Sequence, residues 1–122
     1  MAAPNIVNVT SILGKSMGAA LGTSANTDIL TCASDKVLKI NSIIVSNVDG
    51  TNQSDVTLTF YDNSAGTRYH IAKGIPIQGA SSLTLIGKDN PLYLEESDQI
   101  EGSASAASDL EIIISYEEID DA

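Results

Sequence analysis

The segment 36–62 constrains the fold most, because it reads as two long strands joined by a turn. Its apolar residues recur at every second position, which gives a strand one buried face and one wetter face. Between the two runs lies Asp-Gly-Thr-Asn at 49–52, where Gly and Asn tolerate the positive φ angles of tight turns. The pattern predicts a hairpin over 37–61 in an all-β protein. The side chains predicted to point into its core are Leu38, Ile40, Ile44, Val56, Leu58 and Phe60.

The rest of the chain repeats this alternation of short strands and turns. Residues 14–27 are rich in small residues and are predicted as an extended segment or loop with a short strand. Pro76 has no N–H for a central strand, so it is predicted to lie at an edge or in a connection. The whole pattern predicts a single-domain antiparallel β-sandwich over 1–122, of which a jelly roll is one form. Further strands are predicted over 5–12, 27–32, 68–72, 82–86 and 92–94, with a closing hairpin over 99–105 and 110–118.

Composition agrees with one folded domain. The chain has 122 residues, of which 43% are hydrophobic and 4% aromatic, so its core is predicted to be aliphatic. It contains one cysteine, Cys32, which excludes an intrachain disulfide and is predicted to be a small buried hydrophobe. No apolar run approaches the roughly 20 residues that a membrane-spanning helix needs, and no secretion signal is recognised. The protein is therefore expected to be made and used in the cytosol, unless it leaves as part of a larger particle.

The negative charge is concentrated at one end of the sequence. Residues 95–122 hold ten acids and no Lys or Arg, whereas the preceding residues are formally neutral, so this end accounts for the net charge of −10. Nucleic-acid binding is disfavoured, because phosphate contacts need clustered Lys and Arg. Residues 117–122 are predicted to form an acidic tail. Such an end fits either a basic partner surface or a solvated face that discourages strand edges from pairing.

No pattern in the sequence predicts an active site. His70 is the only histidine and Cys32 the only cysteine, whereas zinc sites need several such ligands at short spacing. The loop 49–55 offers oxygen ligands for calcium but has no closing Glu, and Asp, Asn and Ser also occur there as ordinary turn residues. The acids at 95–98 could form a glycosidase pair, but few aromatic side chains are available to stack on a sugar. We therefore predict that the protein is not an enzyme and binds no cofactor.

Four phrases of the sequence carry a family resemblance. They are APNIVNVTSILGK at the start, KINSIIVSNVDGT in the centre, YHIAK at 69–73, and PLYLEESDQI followed by SDLEIIISYEEI near the end. In order and spacing they resemble a family of small virion structural proteins of tailed bacteriophages, best represented among phages of cyanobacteria and other aquatic bacteria. The resemblance covers nearly the whole chain. It implies a virion protein present in many copies, self-associated and attached to the shell or tail.

The predicted function is decoration or cementing of the capsid, with the major capsid protein or another virion protein as partner. A homotrimer is expected, since it suits a local threefold axis. Alternatives are a neck, tail or baseplate component and a host-surface carbohydrate or receptor-binding module. The N-terminal segment 1–13 is read either as an arm that adds to a partner's sheet or as the first core strand. The residues predicted to contact the partner are Ile6, Val7, Val9, Glu117, Glu118, Asp120 and Asp121.

Overall fold

The computed structural model describes residues 11–120, which form nine β-strands and no helix. All of their pairings are antiparallel, so the predicted all-β class is confirmed. The strands are β1 (Ser11–Ala20), β2 (Thr27–Thr31), β3 (Lys36–Asn47), β4 (Ser54–Asp62), β5 (Thr67–Ile77), β6 (Ser82–Ile86), β7 (Leu92–Leu94), β8 (Gln99–Ala104) and β9 (Leu110–Asp120).

The strands form two sheets that pack face to face. Sheet A has the order β1-β9-β3-β6, with β7 also paired to β3, and sheet B has the order β2-β8-β4-β5. The pairings are nested along the chain, since β4 pairs with β5, β3 with β6, β2 with β8, and β1 with β9. A single long antiparallel ribbon that rolls up gives this order, which is the jelly-roll form of the sandwich. The predicted fold class is therefore confirmed.

Two predicted hairpins are wrong, although their strands are present. β3 belongs to sheet A and β4 to sheet B, and β8 and β9 are divided in the same way. In a rolled ribbon these consecutive strands cross between the sheets, so the turn that begins at Asp49 bridges the sheets. The buried side chain of Asn47 holds the crossing, because its Nδ2 donates to the carbonyls of Asn52 and Ile77, both at 2.8 Å. The true hairpin joins β4 to β5 through the turn 62–66.

A bulge in β3 changes which face its side chains occupy. The register of β3 against β9 skips Asn41, which lies between Ile40 and Ser42. Beyond the bulge Ile43 is fully buried, whereas Ile44 is only half-buried. The predicted placement of Ile44 on the same face as Ile40 is wrong, because one extra residue shifts a period of two to the other face.

Aliphatic side chains build the core between the sheets. Phe60 packs against this core from a partly buried position. Cys32 is 1% exposed, as predicted, and burial raises the pKa of its thiol to about 11. Sheet B is tightly packed at Gly102, where a Cβ would lie 2.5 Å from Cδ2 of Leu58. The predicted core positions that are confirmed as fully buried are Leu38, Ile40, Val56 and Leu58.

The glycine-rich stretch near the start is a long strand. β1 pairs with β9 at all ten of its positions without a register shift. Of the two alternatives predicted over 14–27, an extended segment or a loop with a short strand, residues 14–20 take the extended one, while the strand predicted over 5–12 lies mostly outside the described residues. Pairing with a neighbouring strand decides the conformation here, because strand propensity depends strongly on context.

Candidate interaction surface

The sandwich has four lateral edges, formed by β1, by β6 with β7, by β2 and by β5. An edge strand offers unpaired N–H and C=O groups to another chain, so proteins block edges with short strands, bulges, charges or proline. β6, β7 and β2 are five, three and five residues long. β5 has 11 residues but carries Pro76, whose predicted edge position is confirmed, and its register against β4 shifts twice. β1 is the described edge that is long and regular.

Hydrogen bonding shows which residues of β1 face outward. Just after β1, the backbone N–H of Leu21 donates to the carbonyl of Leu110 at 2.9 Å. Residues of an antiparallel strand alternate between facing the partner strand and facing away from it. The odd-numbered residues of β1 therefore turn their backbone groups to β9, and no other described strand pairs with the opposite side. The residues with backbone groups on this open edge are Ile12, Gly14, Ser16, Gly18 and Ala20.

The side chains of β1 make it an apolar, nearly neutral strand. Ile12 and Leu13 are each 51% exposed, whereas Met17 and Ala19 pack against the core. Nζ of Lys15 lies 3.1 Å from a carboxylate oxygen of Glu118 on β9. β1 contains no acid, although the protein carries a net charge of −10. This edge can approach another strand without the repulsion that most of the surface would cause.

The partner-contact residues predicted from sequence fall into two groups. Ile6, Val7, Val9 and Asp121 lie outside the described residues. Glu117, Glu118 and Asp120 lie within β9, which the structure extends to Asp120. Residues 117–120 are therefore strand and not part of a tail, because both β1 and β3 pair with them.

These three acids have partners inside the chain. Nδ2 of Asn41 donates to Glu117 at 3.1 Å, and the lysine of β1 donates to Glu118. Nζ of Lys36 donates to Asp120, and this hydrogen bond raises the pKa of Lys36. The acids thus join β9 to both neighbouring strands, and their contact with a partner stays a prediction.

A shallow groove lies beside these acids on the outer face of sheet A. It has a volume of about 480 Å³ and is lined by Lys39, Asn41, Ser42, Lys88 and Glu117. Two amines and one carboxylate give the groove mixed charge, so its lining does not select one class of ion. Its open, polar shape suits a wet contact better than an enclosed ligand.

The outer face of sheet B carries an ion pair that the sequence did not indicate. Nε of Arg68 donates to Glu101 at 2.7 Å, and Thr59 Oγ1 donates to the same carboxylate at 3.2 Å. The Glu101 side chain is only 3% exposed, and the guanidinium carbon of Arg68 lies 4.7 Å from the ring centre of Tyr61. Arg68 thus links β5 to β8 across β4.

His70 lies on β5 directly opposite Thr59 of β4, and its side chain is exposed.

Carboxylates that could suggest calcium or glycosidase chemistry act as turn caps. Oδ1 of Asp49 accepts the backbone N–H groups of Thr51 and Asn52 at 2.9 and 3.0 Å, and these bonds lower its pKa to about 2. The buried Asp98 accepts backbone N–H groups from Asn63 and Glu95 at 3.0 and 2.9 Å. Asp49 satisfies donors of its own turn, whereas Asp98 caps its own turn and also binds the turn between β4 and β5.

Within residues 11–120, no group of three His, Cys, Asp or Glu side chains is arranged to hold a metal ion. The described part of the chain also has no helix long and apolar enough to cross a membrane. A comparison with protein-family models matches no family, and a comparison with curated proteins finds no matching sequence.

Proposed function

We propose that this chain is a virion structural protein of a tailed bacteriophage that decorates or cements the capsid shell. The proposal starts from the resemblance of four sequence phrases to such proteins. The observation that favours it most is a jelly roll with a long, regular open edge at β1. Jelly rolls occur in viral capsid domains and also in lectins, so the support from the fold is by analogy.

Cementing would follow from simple mass action. A protein that binds the assembled shell but not its free subunits raises shell stability as its sites fill. Several weak contacts made by one oligomer add through avidity, so each contact can be small. An edge strand adds main-chain hydrogen bonds to such a contact, because a partner segment can extend the sheet. The homotrimer expected from sequence stays a prediction.

Labelling of intact virions with gold-conjugated antibody, viewed by electron microscopy, tests the proposal. Label over the head is expected, and depleted particles should then lose shell stability. Label confined to the neck, tail or baseplate would overturn the capsid assignment in favour of the alternative location. Binding to the recombinant protein in solution confirms beforehand that the epitopes are accessible. Unlabelled virions would then exclude an exposed virion component.

The N-terminal contact is tested by deleting residues 1–10. This boundary leaves Ser11 and Ile12 in place, because they pair with Asp120 and Ile119 of β9. The proposal expects a folded protein that no longer binds shells. A protein that keeps its shell affinity removes Ile6, Val7 and Val9 from the contact.

The acidic contact is tested by neutralising three residues of β9 together. Glu117→Gln, Glu118→Gln and Asp120→Asn should weaken shell binding most at low salt, where charges are least screened. The control variant changes the net charge equally at three exposed acids elsewhere, Asp28→Asn, Asp89→Asn and Glu95→Gln. Equal loss in both variants would indicate a general charge effect and exclude β9 as the contact.

A further inference from the structure

We infer that β1 pairs antiparallel with β1 of a second copy of this chain, so that sheet A continues across a twofold axis. This contact does not depend on the proposed virion role. It would make an isologous dimer, in which both copies use the same surface. It therefore departs from the homotrimer expected from sequence.

The first argument is the regular backbone of the open edge. Five residues present outward N–H and C=O groups along an edge in which no register shift interrupts the ladder to β9. Main-chain pairing needs such a continuous row, because a bulge or proline would break the ladder. The other described edges are short or carry one of these interruptions.

The second argument is that β1 fits its own sequence in one register. Outward-facing residues are even-numbered, so an even residue must lie opposite an even residue of the second copy. Centring the pair on Ser16 aligns residues 12–20 and places Gly14 opposite Gly18 of the second copy. Lys15 then lies opposite Met17. Sliding the second copy by two residues in one direction would place Lys15 opposite Lys15, where like charges repel. Sliding it by two residues in the other direction would leave only residues 14–20 of β1 paired.

The third argument is charge, which permits a second copy at this edge. A copy of this chain brings a net charge of −10, so it pairs with the least repulsion along a strand that has no acids. β1 has no acid, and its one lysine is bound to Glu118 within its own subunit. Of the other described edges, β2 carries Asp28, β5 carries Lys73 and the paired Arg68, and the uncharged β6 and β7 have only five and three residues. Self-pairing would also cover Ile12 and Leu13, which are half-exposed.

The mass of the wild-type protein in solution is the first test. At tens of micromolar, light scattering after size exclusion should give twice 12.7 kDa. A monomer would overturn the inference and leave the proposed virion role untouched, and a trimer would also overturn it. Deletion of residues 1–10 distinguishes pairing through β1 from exchange of the N-terminal segments, because a dimer built on β1 survives the deletion. A dimer lost on this deletion would indicate exchange of the N-terminal segments and overturn self-pairing of β1.

Gly14 offers a matched pair of variants. Gly14→Pro removes an outward N–H without touching the ladder to β9, whereas Gly14→Ala keeps that N–H and finds no atom within 4 Å of its new Cβ. Gly14→Pro should weaken dimerisation about tenfold or more, and Gly14→Ala should not. Circular dichroism checks that both fold. Equal dimerisation of the two folded variants would overturn the inference.

The register is tested by charge and by cross-linking. Gly14→Lys with Gly18→Glu should keep the dimer, since opposite charges face each other, whereas Gly14→Lys with Gly18→Lys should dissociate it. Ser16→Cys places two thiols across the axis at a Cα separation of about 5.5 Å, within disulfide range. It should form a disulfide-linked dimer on mild oxidation, while Ser82→Cys on the exposed β6 edge should not. Cys32 is too buried to compete. Cross-linking at both positions or at neither would overturn the register.

Discussion

The two long edges of this sandwich, β1 and β5, differ in almost every feature that controls strand pairing. β5 contains Pro76 and Gly74, the latter with φ of 60°, and its register against β4 shifts twice. It also displays Arg68 and Lys73. β1 has none of these interruptions and only Lys15, which is paired. The comparison teaches that protection against pairing with another chain is built into individual edge strands. In this protein β5 is blocked, whereas β1 is left regular.

We expect the largest difference in the free energy of unfolding between proline variants at two neighbouring positions of β1, Lys15 and Gly14. Lys15→Pro removes an N–H that faces β9 and leaves a carbonyl without its donor, so we expect a loss of about 3 kcal/mol in the free energy of unfolding. Gly14→Pro removes only an outward N–H and should cost about 1 kcal/mol or less in the monomer. Urea unfolding at submicromolar concentration measures both. Similar losses would show that the inward and outward sides of β1 have been assigned wrongly.

The next largest difference in stability is expected between alanine variants of two glycines, Gly74 on β5 and Gly14 on β1. Gly74 has a positive φ and open space around its Cα, so Gly74→Ala should cost about 1–2 kcal/mol through backbone strain alone. Gly14 lies in regular strand with equally open space, so Gly14→Ala should be neutral or stabilise by about 0.5 kcal/mol. Thermal unfolding compares the two variants directly. A destabilising Gly14→Ala would contradict the view that β1 is unstrained.

Acid should weaken the crossing from sheet A to sheet B. Hydrogen bonds lower the pKa of Asp49 from 3.8 to about 2 in the folded protein. A lowered folded pKa stabilises the protein above the unfolded value, and this contribution is lost as the pH falls from about 4 through about 2. The difference in stability between wild type and Asp49→Asn should therefore vanish over this range. Asp89→Asn, in an exposed turn, serves as the control for the loss of one surface charge.

The ion pair of β1 should matter least. Lys15→Ala removes the contact to Glu118, but the lysine side chain is 43% exposed, so we expect a loss of about 0.5 kcal/mol or less. The loss should shrink in 1 M salt. A larger effect, measured by urea unfolding in the monomer, would mean that Lys15 contributes to folding and does more than neutralise the edge.

Alternation alone located most strands of this fold. Val56 and Leu58 point inward as their spacing predicts, and the strand over 82–86 is present. The assignment of strands to sheets could not be read in this way, because the turn at Asp49 suits a hairpin and a crossing between sheets equally well. Asn41 shows the second limit, since nothing in its neighbourhood marks a bulge, yet that bulge moves Ile44 to the other face.

The interaction surface was harder to predict than the fold. The strand nature of β1 depends on β9, which lies about a hundred residues away in sequence, and its glycines argued for a loop. Glu117 and Glu118 looked like a free tail because their ladder partners on β1 and β3 are also far away in sequence. One signal was available in the sequence, namely that residues 5–27 form the longest stretch without acid or proline in an acidic protein.

The position of β9 between β1 and β3 has a consequence for synthesis of the protein. Sheet A lacks the strand that joins β1 to β3 until residues 110–120 have left the ribosome, so β1 has no described partner strand before then, whereas β3 can pair with β6 and β7. Sheet B can pair earlier, because β4 and β5 form a hairpin of adjacent strands. Long-range pairing of this kind folds slowly. For most of its synthesis the nascent chain therefore exposes both backbone edges of β1. During that time, other chains growing on the same messenger RNA are closest to it.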